Sequence, residues 1–340
     1  MVSRIKILTI LLLLAFLLLL PLFERDPYIL HVLIEIAMVS LPAMGLWLIM
    51  LTGQLSFGQV AFVAIGAYTS CILVMQVGVN SWLALPLSGL MAGLCGVAVG
   101  YPALRIKGTY FAILTLSMGE AVSMILLNWT GLTGGADGIF RIPRPNDLTL
   151  GSWVLVHFTA DKVAYYYYIL ALLIFCLLVM YRLDRSHVGS VLRAINQSDN
   201  LALSIGVNIT RYKVFAFSIG CFFAGLAGAF YTHYFTMLHP DNFTLWDSIY
   251  YVVYIIVGGA NYIFGPVLGV FLMLGTFEIL RAVKKLQAVS YALILIVVIL
   301  FLPGGLMNLR QILFPRRQPA KEGEGEGEDV GNAGGKKRDS

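Results

Sequence analysis

The sequence predicts an all-α polytopic membrane protein of about ten transmembrane helices. Three observations predict it. The 340 residues are 59% hydrophobic and only 12% charged, whereas soluble domains carry roughly 45–50% apolar and about 25% charged residues. Apolar runs close to the roughly 20 residues needed to cross a bilayer recur along the chain. Glycine clusters break several of those runs, and broken backbone is tolerated near a membrane only where protein or a water-filled cavity satisfies it. The formal net charge of +5 is spread over loops, so no basic face offers itself to nucleic acid.

The first element is Met1 to Leu20, with Arg4 and Lys6 ahead of a leucine run. No small-x-small cleavage site follows, and Pro21 to Pro27 reads as an interfacial turn, so residues 1–27 are expected to form a retained first span. Further candidate spans are 28–51, 56–78, 82–104, 109–128, 165–182, 213–236, 244–260, 264–281 and 287–303. An even number places both termini on one side. Lys and Arg then choose the side. Arg4, Lys6, Arg105, Lys107, Arg182, Arg185, Arg193, Arg211, Lys213, Arg310, Arg316 and Arg317 fall on the side of the termini. Arg25, Arg141, Arg144, Lys162, Arg281, Lys284 and Lys285 fall opposite. The bias puts both termini in the cytoplasm. The hairpin at 281–285 is the exception, and a re-entrant span between 244 and 281 would move it to the cytoplasm.

Among the connections, 129–164 is the longest extracytoplasmic one, and it ends at Tyr165 to Tyr168, which reads as an interfacial aromatic belt. Residues 310–340 are rich in Lys, Glu and Gly and read as a disordered cytoplasmic tail. Cys71, Cys95, Cys176 and Cys221 lie inside apolar runs without CxxC spacing, so they are expected as small buried hydrophobes. Gly89 with Gly93, Gly96 with Gly100, and Gly220 with Ala224 and Gly228 each sit four apart, a spacing that lets helix backbones approach closely in lipid. The string Ala92 to Gly96 is similar to Ala224 to Gly228, as an internal repeat would leave it.

The glycine clusters are Gly53 to Gln59, Thr133 to Gly138 and Gly258 to Pro266. The first carries Gln54, Ser56 and Gln59, which either border a transport pathway or belong to an ordinary interfacial turn. Glu120 lies deep in the run Phe111 to Asn128. A carboxylate there costs at least about 2.5–3.5 kcal/mol, so it should face a pathway or a partner on a neighbouring helix. Proton coupling is a third role for it. Glu35 and Glu278 stand nearer span ends. No catalytic residue and no metal site is expected: the five histidines are scattered, with no HExxH, GxSxG or Cys/His spacing. No GxxxxGK[ST] phosphate loop is present.

The most informative stretch is the polar island Arg182 to Lys213, a patterned basic segment between hydrophobic spans. It reads as a docking surface rather than a slack connector. Ser198 is placed to cap a short helix with Leu201 and Ile205 on one face.

Together, Gly53 to Gln59, Glu120 with Leu127 to Trp129, Leu132 to Ile139, Gly189 to Gly206, Ala224 to Gly228, and Gly258 to Ala260 with Gly265-Pro266 resemble the permease subunits of bacterial branched-chain amino acid ABC importers, of the LivM type. The resemblance covers about Val32 to Leu309, and it implies a type II ABC importer-like permease bundle with broken helices over 28–309. It implies a second permease (LivH-like), two cytoplasmic ATPase subunits, and a periplasmic substrate-binding protein docking on 129–164 with 237–247. It also implies no cofactor on this chain, with ATP on the partner subunits. The coupling loop, 183–212, matches the importers' Ala-x-x-x-Gly pattern at Ala202 and Gly206, with Arg193, Asn196, Gln197 and Asp199 fixing register against the ATPase. Family members often carry more acidic residues before the Ala; here only Asp199 is present. The pathway is expected to involve Gln54, Ser56, Gln59, Glu120 and Asn128. Branched-chain amino acids are the expected cargo. Urea, short amides or aromatic acids are the alternatives within the same family, and an ion-driven secondary transporter using Glu120 is the alternative outside it.

Overall fold

The computed structural model describes residues 26–106, 108–146, 148–150, 153–156 and 162–280, with Pro21, isolated positions between 289 and 300, and 305–308. The expected first span, the hairpin at 281–285 and the tail lie outside the described residues, as does most of the span expected at 287–303.

The helices are α1 (Pro27–Met50), α2 (Gln59–Met75), α3 (Ser81–Ala103), α4 (Thr109–Asn128), the single turn α5 (Thr130–Thr133), α6 (Lys162–Arg185), α7 (His187–Gln197), α8 (Asp199–Ser204), α9 (Ile209–Phe235), α10 (Leu245–Gly258) and α11 (Gly265–Ile279). Local chemistry explains where several begin. Asp26, Asn80 and Asn208 each cap a helix by accepting a backbone N–H from Tyr28, Trp82 and Arg211. Thr244 and Asp247 form a reciprocal capping box at the start of α10.

Five described helices, α1, α3, α4, α6 and α9, are long and apolar enough to cross a membrane. The others expected as spans are shorter. Helix α2 has 17 residues, α10 has 14 and α11 has 15. At 1.5 Å per residue these reach about 21–26 Å, against a hydrocarbon core of about 30 Å.

Helix α9 is the axis of the bundle, packed on α1, α2 and α3. In lipid, association gains little from hiding apolar surface, so close packing decides it. The small-residue faces supply that packing. Gly89, Gly93, Gly96 and Gly100 of α3 receive Leu226, Phe222, Cys221 and Phe217 of α9. Gly45 of α1 lies against the carbonyl of Gly220, and a Cβ on Gly220 would stand 2.6 Å from the Gly45 carbonyl oxygen. The two similar strings face each other, Ala92 packing on Gly225. Cys71, Cys176 and Cys221 are buried and Cys95 half-buried, all as free thiols.

The bundle has two distinct ends. One end gathers Tyr28, Phe235, Trp82 and Lys162: His31 bonds the Tyr234 hydroxyl at 2.7 Å, Trp82 donates to the Asn146 carbonyl and Lys162 to that of Pro27. Here Ile139–Phe140 pairs antiparallel with Met237–Leu238, so the two connections expected to act together are joined. A second small hairpin pairs Leu148–Leu150 with Trp153–Val156. The opposite end carries Arg105, Arg182, Arg185, α7, α8 and the start of α9.

Two expectations change. Tyr165 and Tyr166 are buried, and Tyr168 packs on Phe230 with ring centroids 5.4 Å apart, so the tyrosine run is an internal aromatic ladder rather than a lipid-facing belt. A re-entrant span between 244 and 281 would carry the chain after it to the basic end, and the helices do not run that way. Helices α10 and α11 form a hairpin along α1, its tip fixed by Trp47 Nε1 donating to the Ala260 carbonyl at 2.7 Å and its open end by Tyr28 donating to Glu278. Ile279 therefore lies at the Tyr28 end, away from the basic end.

Candidate functional site

Two features stand out, a break between α1 and α2 and a helical hairpin at the basic end. The break begins where α1 ends. After Met50 the chain does not cross to a new helix at the same level; it turns back into the bundle. Gln59, the first residue of α2, donates Nε2 to the Gly220 carbonyl at 2.9 Å and reaches the Pro42 carbonyl at 3.5 Å. Pro42 and Gly45 lie about 8–12 Å before the end of α1 at 1.5 Å per residue. Gln54 to Gly58 is thus non-helical backbone set largely into the protein, with Gly53 exposed ahead of it.

Two backbone N–H groups, one in the break and one just after it, are met by protein side chains, as membrane depth requires. Phe57 N–H donates to Thr115 Oγ1 at 3.1 Å, and Val60 N–H donates to Ser248 Oγ at 3.0 Å. Gln54, Ser56 and Gln59 are all buried, at 3%, 0% and 0% exposure. They are therefore interior groups of the protein. Among the described residues, the side-chain oxygens of Gln54 and Gln59 have no hydrogen-bond partner. A buried acceptor left without a partner costs about 1–3 kcal/mol.

The expected pathway residues do not form one cluster. Helix α4 presents Thr115 and Gly119 to the break, and Gly58 packs directly on the Thr115 carbonyl. Glu120 and Asn128 lie on another face of α4, exposed beside Ile113 and Met124, themselves 55% and 59% exposed. Asn128 donates Nδ2 to the Met124 carbonyl at 2.7 Å. An exposed carboxylate with apolar neighbours at membrane depth is untenable against lipid. That face needs protein or water.

At the basic end, α7 lays Val191, Leu192 and Ile195 inward and turns Arg193, Asn196 and Gln197 outward. Ser198 caps α8 as expected, accepting from Leu201 N–H at 3.3 Å. Gly206, at φ +80°, ends α8 in the left-handed conformation that glycine adopts without steric cost. Val207 N–H then returns to the Ala202 carbonyl at 3.1 Å.

The six expected coupling residues split. Asn196 and Gln197 face outward; Arg193 is exposed but paired with Asp184. Asp199 turns in to Lys213 of α9, Nζ to Oδ1 3.1 Å, and Lys213 is itself only 3% exposed. Ala202 is buried against Val191 and Ile195. So Asp199 ties the hairpin to α9, and Ala202 packs α8 onto α7. Beside the outward polar groups, three large apolar side chains also face out: Leu201, Leu203 and Ile205 are 67%, 56% and 73% exposed. Leu203 was missed because an i, i+4 pattern places only Leu201 and Ile205 together, whereas one short turn exposes all three. The two features touch: Gly53, at φ +75°, lies against Asn196, whose Oδ1 would stand 2.9 Å from an added Cβ.

Long apolar helices around a protein-filled break define a multi-pass α-helical membrane protein. Comparison with known proteins gives the family. The family model described as branched-chain amino acid transport system / permease component matches residues 28–302, and the chain belongs to that family. It is 31% identical over 290 residues to the high-affinity branched-chain amino acid transport system permease protein LivM of Escherichia coli (strain K12), covering 81% of this chain and 68% of the relative. It is 25% identical over 281 residues to the LivH permease protein of the same organism, covering 76% and 87%. It is 23% identical over 248 residues to a probable LivM permease protein of Methanocaldococcus jannaschii, covering 68% and 70%. No solved structure matches the chain.

Proposed function

We propose that this chain is one of two permease subunits of an ATP-driven importer of branched-chain amino acids in the inner membrane. Residues 28–309 form the permease domain of about ten spans counted with 1–27, and 310–340 is a cytoplasmic tail. The basic end faces the cytoplasm, because Arg105, Arg182, Arg185, Arg193, Arg211 and Lys213 gather there against Arg141, Arg144 and Lys162 opposite. The relatives' names favour branched-chain amino acids over urea, short amides or aromatic acids. ATP is hydrolysed on two separate ATPase subunits, and this chain binds no cofactor. A substrate-binding protein delivers cargo to the surface made where 129–164 meets 237–247.

The observation that carries this reading is the apolar triad Leu201, Leu203 and Ile205, held outward on a capped helix that is anchored inward by Ala202 and by the Asp199–Lys213 pair. Leu201 and Ile205, four apart, share one side of it and can seat in a groove of a partner, while Leu203 stands on another side, beside Lys213. Movement of the seated hairpin reaches the break through Asn196 and Gly53, and the break reaches α4 through Phe57, Gly58 and Thr115. The α4 face bearing Glu120 and Asn128 lines the pathway shared with the second permease, a protein-and-water surface in which its carboxylate is tenable. Gln54, Ser56 and Gln59 form the movable floor behind it.

The test is co-purification. Leu201→Glu with Ile205→Glu should leave the second permease bound and release the ATPase subunits. If the ATPases stay with the variant, the triad is not the docking surface.

A further inference from the structure

We propose that the groove between the end of α3 and the start of α9 holds the headgroup of an anionic phospholipid of the cytoplasmic leaflet. The proposal rests on the placement of the basic end in the cytoplasm given above. It is read by binding alone, so it fails separately from the transport reading.

The groove has a volume of about 570 Å³. Its floor is basic. Arg105 and Arg211 both line it, and no Asp or Glu does. Among the described residues neither arginine has a carboxylate within ion-pair distance; the nearby Asp199 is engaged by Lys213. The Arg105 guanidinium lies 4.8 Å from the ring centre of Tyr101, a cation–π contact that holds it in the groove. Asn208 uses its side-chain oxygen to cap Arg211 N–H at 3.2 Å, which leaves its amide N–H groups as donors beside the Thr210 hydroxyl. These groups suit a phosphate diester: two cations, neutral donors and no competing anion.

Above the floor the walls change character. Val97, Val214 and Phe215 line the upper groove. Val97 continues an exposed stripe on α3, Leu90, Leu94 and Val97, at 54%, 65% and 41% exposure and at helical spacing. The stripe climbs away from the basic end, as an acyl chain does from a headgroup at the interface. A free phosphate would use the floor and ignore the stripe; a phospholipid uses both. The net positive floor favours phosphatidylglycerol over a zwitterionic lipid, as basic pockets between spans do on the cytoplasmic side.

The position matters for the rest of the molecule. Asn208, Thr210 and Arg211 open α9 directly after Gly206, where the α7–α8 hairpin joins the bundle. The adjoining groove, also lined by Arg105, Asn208 and Thr210, runs to Leu203, Gly206 and the Asp199–Lys213 pair. A bound headgroup therefore fixes the joint at which the hairpin would push on α9.

The test uses the full chain, with any subunits that co-purify, in mild detergent. Native mass spectrometry would follow dioleoyl phosphatidylglycerol against dioleoyl phosphatidylcholine. The native chain should retain phosphatidylglycerol preferentially. Arg105→Gln with Arg211→Gln should lose roughly thirtyfold of that preference, the value of two basic residues at an anionic surface, while Arg105→Lys with Arg211→Lys should keep most of it. Equal preference in the Gln pair overturns the proposal, as does displacement of the lipid by inorganic phosphate at equal concentration. A second measurement needs no variant: a photoactivatable phosphatidylglycerol on the native chain should label peptides within 94–105 and 208–215. Labelling confined to other peptides overturns the site even if the variants do not fold.

Discussion

Replacing Gly53 by Ala tests the contact on which coupling between hairpin and break depends. Gly53 sits at φ +75°, where an added Cβ would meet Asn196 Oδ1 at 2.9 Å and Asn196 Cα at 3.5 Å. An L residue in the left-handed region costs about 1–2 kcal/mol. The second distance is ordinary contact, so only the Asn196 side chain has to move, at about 0.5–1.5 kcal/mol for an off-rotamer position. The sum is about 2.5 kcal/mol, a roughly sixtyfold shift against the native arrangement at that point. The helices on either side do not share this cost, so assembly should survive. The assay is ATP-driven leucine uptake by the reconstituted importer, with ATP hydrolysis measured in parallel. Gly53→Ala should retain ATPase subunits and hydrolysis but move many fewer leucines per ATP. Asn196→Ala in the same chain removes the side-chain clash and leaves the backbone cost, so the pair should recover about 1 kcal/mol, or roughly fivefold. Unchanged coupling in Gly53→Ala, or strict additivity of the two changes, would refute the mechanical link.

Three other outcomes follow from the same geometry. Lys213→Met strands Asp199 in a partly closed site and should destabilise the hairpin by about 3 kcal/mol, the low end for breaking a buried pair; Asp199→Asn in addition should restore much of it, as read by thermal unfolding in detergent and by ATPase retention. Gly220→Leu forces α9 off the Gly45 carbonyl, where even a Cβ has only 2.6 Å; the overpacking should cost more than about 3 kcal/mol and appear as loss of a monodisperse peak on size-exclusion chromatography. Glu120→Gln should lower leucine uptake while leaving both kinds of partner bound, and full uptake would remove that face of α4 from the pathway.

How much of this was legible in the sequence depends on which contacts are local. Hydropathy located the long spans, because each is set by its own run of apolar residues. Glycine spacing found the α3 and α9 contact faces, because four-residue spacing fixes a helix face without knowledge of the partner. Ser198 as a cap was readable for the same reason. Depth was not readable. Nothing in Gly53 to Gln59 says that α2 starts level with Pro42 and Gly45 and not at the end of α1; that follows from where α9 and its Gly220 carbonyl lie. Nor does the order Asp199, Ala202, Gly206 say which residue looks inward, since the answer is Lys213, on another helix. Tyr165 to Tyr168 carries an aromatic-belt pattern, but Phe230 and Tyr234 across the interface claim the rings first. For the same reason the hairpin α10–α11 was uncertain: its arms are short, and the Trp47 and Tyr28 bonds that fix its direction come from more than 200 residues away in sequence.

The central claim is that this chain moves branched-chain amino acids only as the permease part of an ATP-driven assembly. The direct measurement is leucine accumulation in proteoliposomes containing the purified chain with its co-purified permease and ATPase subunits, with the substrate-binding protein on the opposite face to ATP. The account predicts accumulation that requires ATP, the binding protein and the intact Leu201, Leu203 and Ile205 triad. Leucine uptake by the chain alone, driven by an ion gradient without ATP, would contradict it.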